Sequence, residues 1–162
     1  MVHIVKKIKK FTYITFSKMH SSKVRRMIYS CGVNLNVFGK IDIISPKNLS
    51  IGDNCTINHG VYINCINKIK IGSDVTLSAG AKVISSGIDY EEWAKENKCH
   101  LKGTDIEIGD HVWIGSNAQI LPGVKISGKY VVIASGAIVT KNICEDYCIV
   151  AGVPAKVIKR YK

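Results

Sequence analysis

The chain has 162 residues, 46 % of them apolar, so it has the length of one domain and enough hydrophobic side chains to core it, which excludes a disordered protein. Its formal charge of +11 sets 23 Lys and Arg against 12 Asp and Glu, and it is uneven, because the first acidic residue is Asp42. No run of about eighteen apolar residues is present and the N-terminus lacks the apolar centre of a secretory signal, so a cytoplasmic protein without a membrane-spanning helix is expected.

Residues 1–34 form a basic segment of their own. Ile4, Ile8 and Phe11 stand at helical spacing, with Lys6, Lys7, Lys9 and Lys10 mostly on the other faces, and a second apolar set (Val24, Met27, Ile28, Cys31) follows. This predicts a short helical cap over the open end of whatever follows. The same basic amphipathic character would suit contact with an anionic membrane at its inner face.

From residue 35 to residue 160 the apolar residues recur every six positions. The clearest stretch reads IGDHVW, IGSNAQ, ILPGVK from Ile108, then continues through Ile126, Ile133 and Val139. Small apolar residues (Val112, Ala118, Val124, Ala137) stand four places beyond an aliphatic. The same grammar occurs upstream in IGDNCT, INHGVY, IGSDVT and LSAGAK. A period of six fits neither a helix at 3.6 nor a lone strand at 2. It fits a prism of short strands that turns a corner every six residues and stacks its inward aliphatics coil on coil. The expected fold is therefore all-β, a parallel β-helical solenoid. Ser45–Asn48 interrupts the early coils, and an eight-residue step from Ile63 to Ile71 predicts a corner insertion near Asn67 and Lys68. After Val83 the period fails until Ile106. The excursion, residues 85–105, is polar and carries Trp93, and a long departure from a strict solenoid points to function.

The six cysteines form no CxxC pair and Cys55 takes an inward place, so reduced thiols and no metal site are expected. Positive charge suggests nucleic acid, but hexads offer no groove-reading helix, and an enzyme that uses an anionic cofactor needs the same charge. No nucleic-acid partner is expected. Of the histidines, His3 and His20 lie in the basic segment and His111 reads as a structural corner residue. His59 and His100 remain as candidate general bases, since an imidazole near its ordinary pKa of about 6.5 suits proton removal from a hydroxyl. No Ser-His-Asp or Cys-His pattern is evident, so attack without an acyl-enzyme is expected.

The wording VWIGSNAQILPGV, then IASGAIVTK, then AGVPAKVIKR resembles the hexapeptide-repeat acyltransferases, in particular the sugar and polysaccharide O-acetyltransferase branch, over residues 35–160. The resemblance implies a left-handed parallel β-helix and a homotrimer with active sites between subunits. It also implies acetyl-CoA as cosubstrate and an exopolysaccharide or lipopolysaccharide unit or precursor as acceptor. His59 matches the offset of the catalytic histidine in serine acetyltransferases, and Asn58 the neighbourhood of an acceptor-binding Asn in sugar acetyltransferases. His100 matches a second histidine before the return hexad. The galactoside and maltose type keeps its catalytic histidine near the start of the excursion, where this chain has Ile88 and Asp89; that departure moves the base to His100 or His59. Asp89 and Glu91 become candidates to orient an imidazole or bind the acceptor. On the cofactor side the resemblance carries over Trp113, which also borders the acceptor, with Ser116 and Ser135 along the pantetheine arm. Thr140, Lys141, Lys156, Lys159 and Arg160 follow towards the phosphates. The alternatives are a different acceptor (serine, an amino sugar, an antibiotic) and a non-catalytic β-helical scaffold. A zinc carbonic anhydrase of the same fold would need an H-x4-H pair, which is absent.

Overall fold

The computed structural model describes residues 17–162. They open on helix, residues 17–27 (α1), which lies across the end of a three-faced prism. Val24 and Ile28 are buried in the core, and Ser21 Oγ accepts the Val37 N–H at 2.9 Å. The predicted cap is present in these residues; Ile4, Ile8, Phe11 and the lysines among them lie outside the described residues.

The first coil is β1 (Ser30–Cys31), β2 (Asn36–Phe38) and β3 (Asp42–Ile44). A short 3-10 turn, Pro46–Asn48, leads to the second coil, β4 (Leu49–Ile51), β5 (Thr56–Asn58) and β6 (Tyr62–Asn64). The third holds β7 (Ile69–Ile71), β8 (Thr76–Leu77) and β9 (Lys82–Ile84). The excursion follows as β10 (Ser86–Ile88), helix α2 (Tyr90–Glu96) and β11 (Leu101–Gly103). Two more coils comprise β12 (Ile106–Ile108), β13 (Val112–Ile114) and β14 (Gln119–Ile120), then β15 (Lys125–Ile126), β16 (Val131–Ile133) and β17 (Ile138–Val139). The chain ends in β18 (Cys148–Gly152) and β19 (Ala155–Arg160).

Like-placed strands of successive coils pair in parallel, giving a first face β1-β4-β7-β12-β15, a second face that ends in β18 and β19, and a third face β3-β6-β9-β14-β17. On these three faces β19 departs from the rule, folding back antiparallel on β18, and off them the excursion strands β10 and β11 also pair antiparallel. The solenoid's first rung is β1, slightly before the expected start at residue 35, because the hexad pattern is faint where a coil meets the cap.

The register explains the six-residue period. On the second face Val37, Ile57, Leu77, Ile114, Ile133 and Val150 face one another in one inward column, each at most 1 % exposed. Ile51, Ile71, Ile108 and Ile126 do the same on the first face, and Ile63, Val83, Ile120 and Val139 on the third. A strand of two or three residues buries little alone; stacking gives it a neighbour above and below. Coils must approach closely at the corners. A Cβ on Gly115 would sit 2.6 Å from the Ser135 nitrogen, so only glycine fits there.

Early coils repeat after 20 residues, since Ser50 opposes Ser30 and Lys70, whereas Lys125 opposes Glu107 after 18. The extra residues all fall at the corner between the third and first faces. The excursion leaves from that same corner and is an ordered hairpin with a helix at its tip. Its root is fixed by Ser85, fully buried, whose hydroxyl donates to the Asn64 carbonyl at 2.7 Å and accepts the Asn67 N–H at 3.0 Å.

Candidate active site

Trp113 points outward from the middle of the second face and is 57 % exposed. Its indole N–H donates to Ser78 Oγ at 2.8 Å, which fixes the ring across the end of β8. With Gly115, Ser116, Val132 and Ser135 these two residues line an open groove of about 220 Å³. Three residues expected on the cofactor side, Trp113, Ser116 and Ser135, are thus brought together. The sequence reading missed Ser78, because only the coil register, with Trp113 opposite Thr76, shows that the end of β8 lies within reach of the indole.

The corner between the second and third faces stacks rung by rung. Backbone hydrogen bonds link Gly60 to Lys40, Gly80 to His59, Asn117 to Ala79 and Gly136 to Ser116. His59 therefore lies on the edge that carries Ser116 and Ser135, two rungs from Ser116, or about 10 Å at the usual strand spacing. It is exposed. Asn58 sits beside it with its side-chain amide donating to the Leu77 carbonyl at 3.0 Å, so that amide serves as a rivet between coils.

The outward residues on the second face also form a straight column. Trp113 opposes Val132, Val132 opposes Ile149, and Ile149 opposes Lys159 on β19. Lys156 and Lys159 are exposed on that last strand. Arg160 is paired with Glu145 at 2.5 Å. Thr140 and Lys141 are exposed after β17, at the corner between the third and first faces. Within one chain they lie on a different edge from Ser116 and Ser135.

The excursion holds the remaining candidates. Asp89 is the N-cap of α2, accepting the Glu91 and Glu92 N–H groups at 3.2 Å. Its second oxygen meets Lys102 of β11 at 3.3 Å. The Glu92 N–H, with the Lys102 ammonium beside it, holds the Asp89 carboxyl below its ordinary range, and Asp89 raises Lys102 in return. Asp89 thus clasps the hairpin to the helix, and Glu91 is exposed on the first turn. The carboxylate that meets His100 is Glu96, at 3.2 Å from Nε2 with both side chains half exposed. Its four-residue spacing from His100 across a helix end was the available signal.

His100 and His59 are rooted on different corners, and among the described residues no hydrogen bond or ion pair joins them. His111 stands at a corner, its ring stacked on Tyr130 at 4.5 Å and facing Asp74 at 3.8 Å in a ladder of left-handed corner residues. Among the described residues no cluster of His, Cys, Asp and Glu could hold a metal ion, and no helix is long and apolar enough to cross a membrane.

Known proteins share this architecture. Residues 105–141 match the model of the bacterial transferase hexapeptide family, and residues 49–65 that of the hexapeptide repeat of succinyl-transferase. A Saccharomyces cerevisiae protein named for acetyltransferase activity is 34 % identical over 95 % of this chain and 79 % of its own length. A lipopolysaccharide biosynthesis O-acetyl transferase of Escherichia coli is 30 % identical over 80 % of this chain and 66 % of its own. The structure of a galactoside acetyltransferase in complex with coenzyme A superposes with a TM-score of 0.80 at 31 % identity, covering 87 % of this chain and 69 % of that one. The chain belongs to the hexapeptide-repeat acetyltransferase family, and its solenoid is the left-handed parallel β-helix of that family. It is an acyltransferase.

Proposed function

We propose that the protein transfers an acetyl group from acetyl-CoA to a hydroxyl of a carbohydrate, an exopolysaccharide or lipopolysaccharide unit or its precursor. The groove of Trp113, Ser78, Ser116 and Ser135 carries this reading. It is an apolar track with hydroxyls at its edge, and it runs rung by rung towards Lys159 and Lys156, whose ammonium groups suit the phosphates of the cofactor. A galactoside acetyltransferase with coenzyme A shares the fold, and a lipopolysaccharide O-acetyl transferase shares the sequence pattern.

In the proposed step the acceptor oxygen attacks the thioester carbonyl carbon while a histidine takes the hydroxyl proton. The tetrahedral intermediate collapses, the C–S bond breaks, and the imidazolium returns its proton to the leaving thiolate. The products are the acetyl ester and free coenzyme A. His59 reaches the cofactor edge of its own chain. His100, oriented by Glu96, projects from the excursion and would serve a neighbouring subunit's groove. In such a homotrimer one subunit's excursion closes on the next, and the exposed Ile88, Trp93 and Leu101 at 56, 53 and 58 % would be covered. Glu91, exposed beside them, would face the acceptor.

The test measures coenzyme A release with acetyl-CoA and a panel of sugars, serine, amino sugars and antibiotics, for wild type, His59→Ala and His100→Ala. The base is the histidine whose loss leaves coenzyme A binding intact and lowers transfer by at least about a hundredfold. If both variants keep wild-type transfer, histidine catalysis is refuted. If the wild type does not bind coenzyme A, the scaffold reading replaces the enzyme.

A further inference from the structure

We infer that the corner between the third and first faces carries a second binding site, for a phosphate-bearing ligand, held by Lys47, Lys68 and Lys70. A groove of about 370 Å³ lies there, lined among others by Tyr29, Lys47, Asn48, Ser50, Lys68 and Lys70, and no carboxylate lines it. It is separate from the Trp113 groove on the second face, and the inference does not rest on acetyl transfer.

The groove is built by residues the solenoid does not need. Inward Ile43 and Ile51 are eight positions apart, as are Ile63 and Ile71, whereas Ile120 and Ile126 close the same corner in six. The two insertions bring Lys47 and Lys68. They are fastened to each other, since the Asn48 amide donates to the Cys65 and Ile66 carbonyls at 2.9 and 3.0 Å. Ser45 adopts a left-handed φ of 52° to start the turn. The six-residue step at the same corner uses a glycine in the left-handed region instead, Gly123 at φ 81°.

Among the described residues none of the three lysines forms an ion pair. Glu107, opposite Lys70 on the first face, is paired with Lys125 at 2.7 Å and interacts with Lys70 only as a weaker charge at longer range. Asp105 has one oxygen occupied by the Lys68 backbone N–H at 3.0 Å. Three ammonium groups around one groove repel each other until an anion enters, and lysines bind phosphate as point charges. Ser50 adds a hydroxyl, and Tyr29, 76 % exposed, offers a ring face to a sugar or base attached to the phosphate.

The experiment titrates the full chain with inorganic pyrophosphate by calorimetry, and in parallel with phosphatidylglycerol vesicles by sedimentation. Wild type is compared with Lys47→Ser/Lys68→Ser/Lys70→Ser and with Lys18→Ser/Lys95→Ser/Lys129→Ser, which removes equal charge elsewhere. The expected result is at least tenfold weaker binding in the first variant alone, with unchanged melting. Dependence on the three lysines for pyrophosphate assigns a soluble phosphate ester, and for vesicles only, a lipid headgroup. Equal weakening in both variants, or no dependence in either arm, overturns the site.

Discussion

Replacing Trp113 with alanine tests the cofactor groove most directly. A tryptophan side chain presents up to about 250 Å², and with Trp113 57 % exposed about 140 Å² of it remains in water. A ligand arm crossing one ring face covers about half of that, about 70 Å². At about 25 cal/mol per Å² this is worth about 1.8 kcal/mol, or about a 20-fold rise in the dissociation constant of coenzyme A on Trp113→Ala. Because the ring faces outward, the inward column behind it is untouched, and the melting temperature should move by no more than about 2 °C. Calorimetric titration of wild type, Trp113→Phe and Trp113→Ala, with a thermal melt of each, measures both quantities. Trp113→Phe should retain most of the affinity, and Ser78→Ala, which frees the indole, should lose a few-fold. A Trp113→Ala protein that binds coenzyme A within twofold of wild type would sink the groove assignment.

Other perturbations separate the parts of the molecule. Ile114→Ala, in the fully buried column behind Trp113, should destabilise the fold by about 3 kcal/mol in denaturant titration, and Ile114→Val by about 1 kcal/mol. The depressed Asp89 carboxyl contributes stability above its ordinary pKa of about 3.9, and that contribution is lost as pH falls through the lower folded value. The raised Lys102 contributes below its ordinary value of about 10.4 and is lost above its folded pKa. Proteolytic nicking of residues 85–105 should therefore be slowest between those limits, and Asp89→Asn should be nicked faster than wild type at neutral pH. Burial pushes the Cys65 thiol up to about 12 and raises Cys55 and Cys148, while Cys99 and Cys144 are exposed. A thiol reagent at pH 8 should label Cys99 and Cys144 first and reach the buried three on unfolding. If the proposed trimer forms, Trp93→Glu on the excursion should shift the mass in light scattering towards a monomer; an unchanged mass would detach the excursion from assembly.

The six-residue period of Ile, Val and Leu determined the fold class, because a strand of two or three residues can be buried only by a like strand one coil away, and that demand falls on every sixth position. Trp113, Ser116 and Ser135 came from the resemblance of VWIGSNAQILPGV and IASGAIVTK to the acyltransferases, and the coils bring the three to one groove. The partners of those residues were not legible. Ser78 is 35 positions from Trp113, and only the parallel register, lengthened by the excursion, makes them neighbours. Asp89 read as a candidate to orient an imidazole or bind the acceptor, and only the structure shows it capping helix α2 and pairing with Lys102 of β11. Glu96 was overlooked, yet the end of that helix sets it against His100. Tertiary structure also decided which edge each histidine stands on: His59 in line with Ser116 and Ser135, His100 on an excursion from another corner. Periodicity records which side chains must be buried, and burial depends on a residue's place in its own coil. Hydrogen bonds between polar side chains depend on what the next coil brings alongside, and the sequence does not record that pairing.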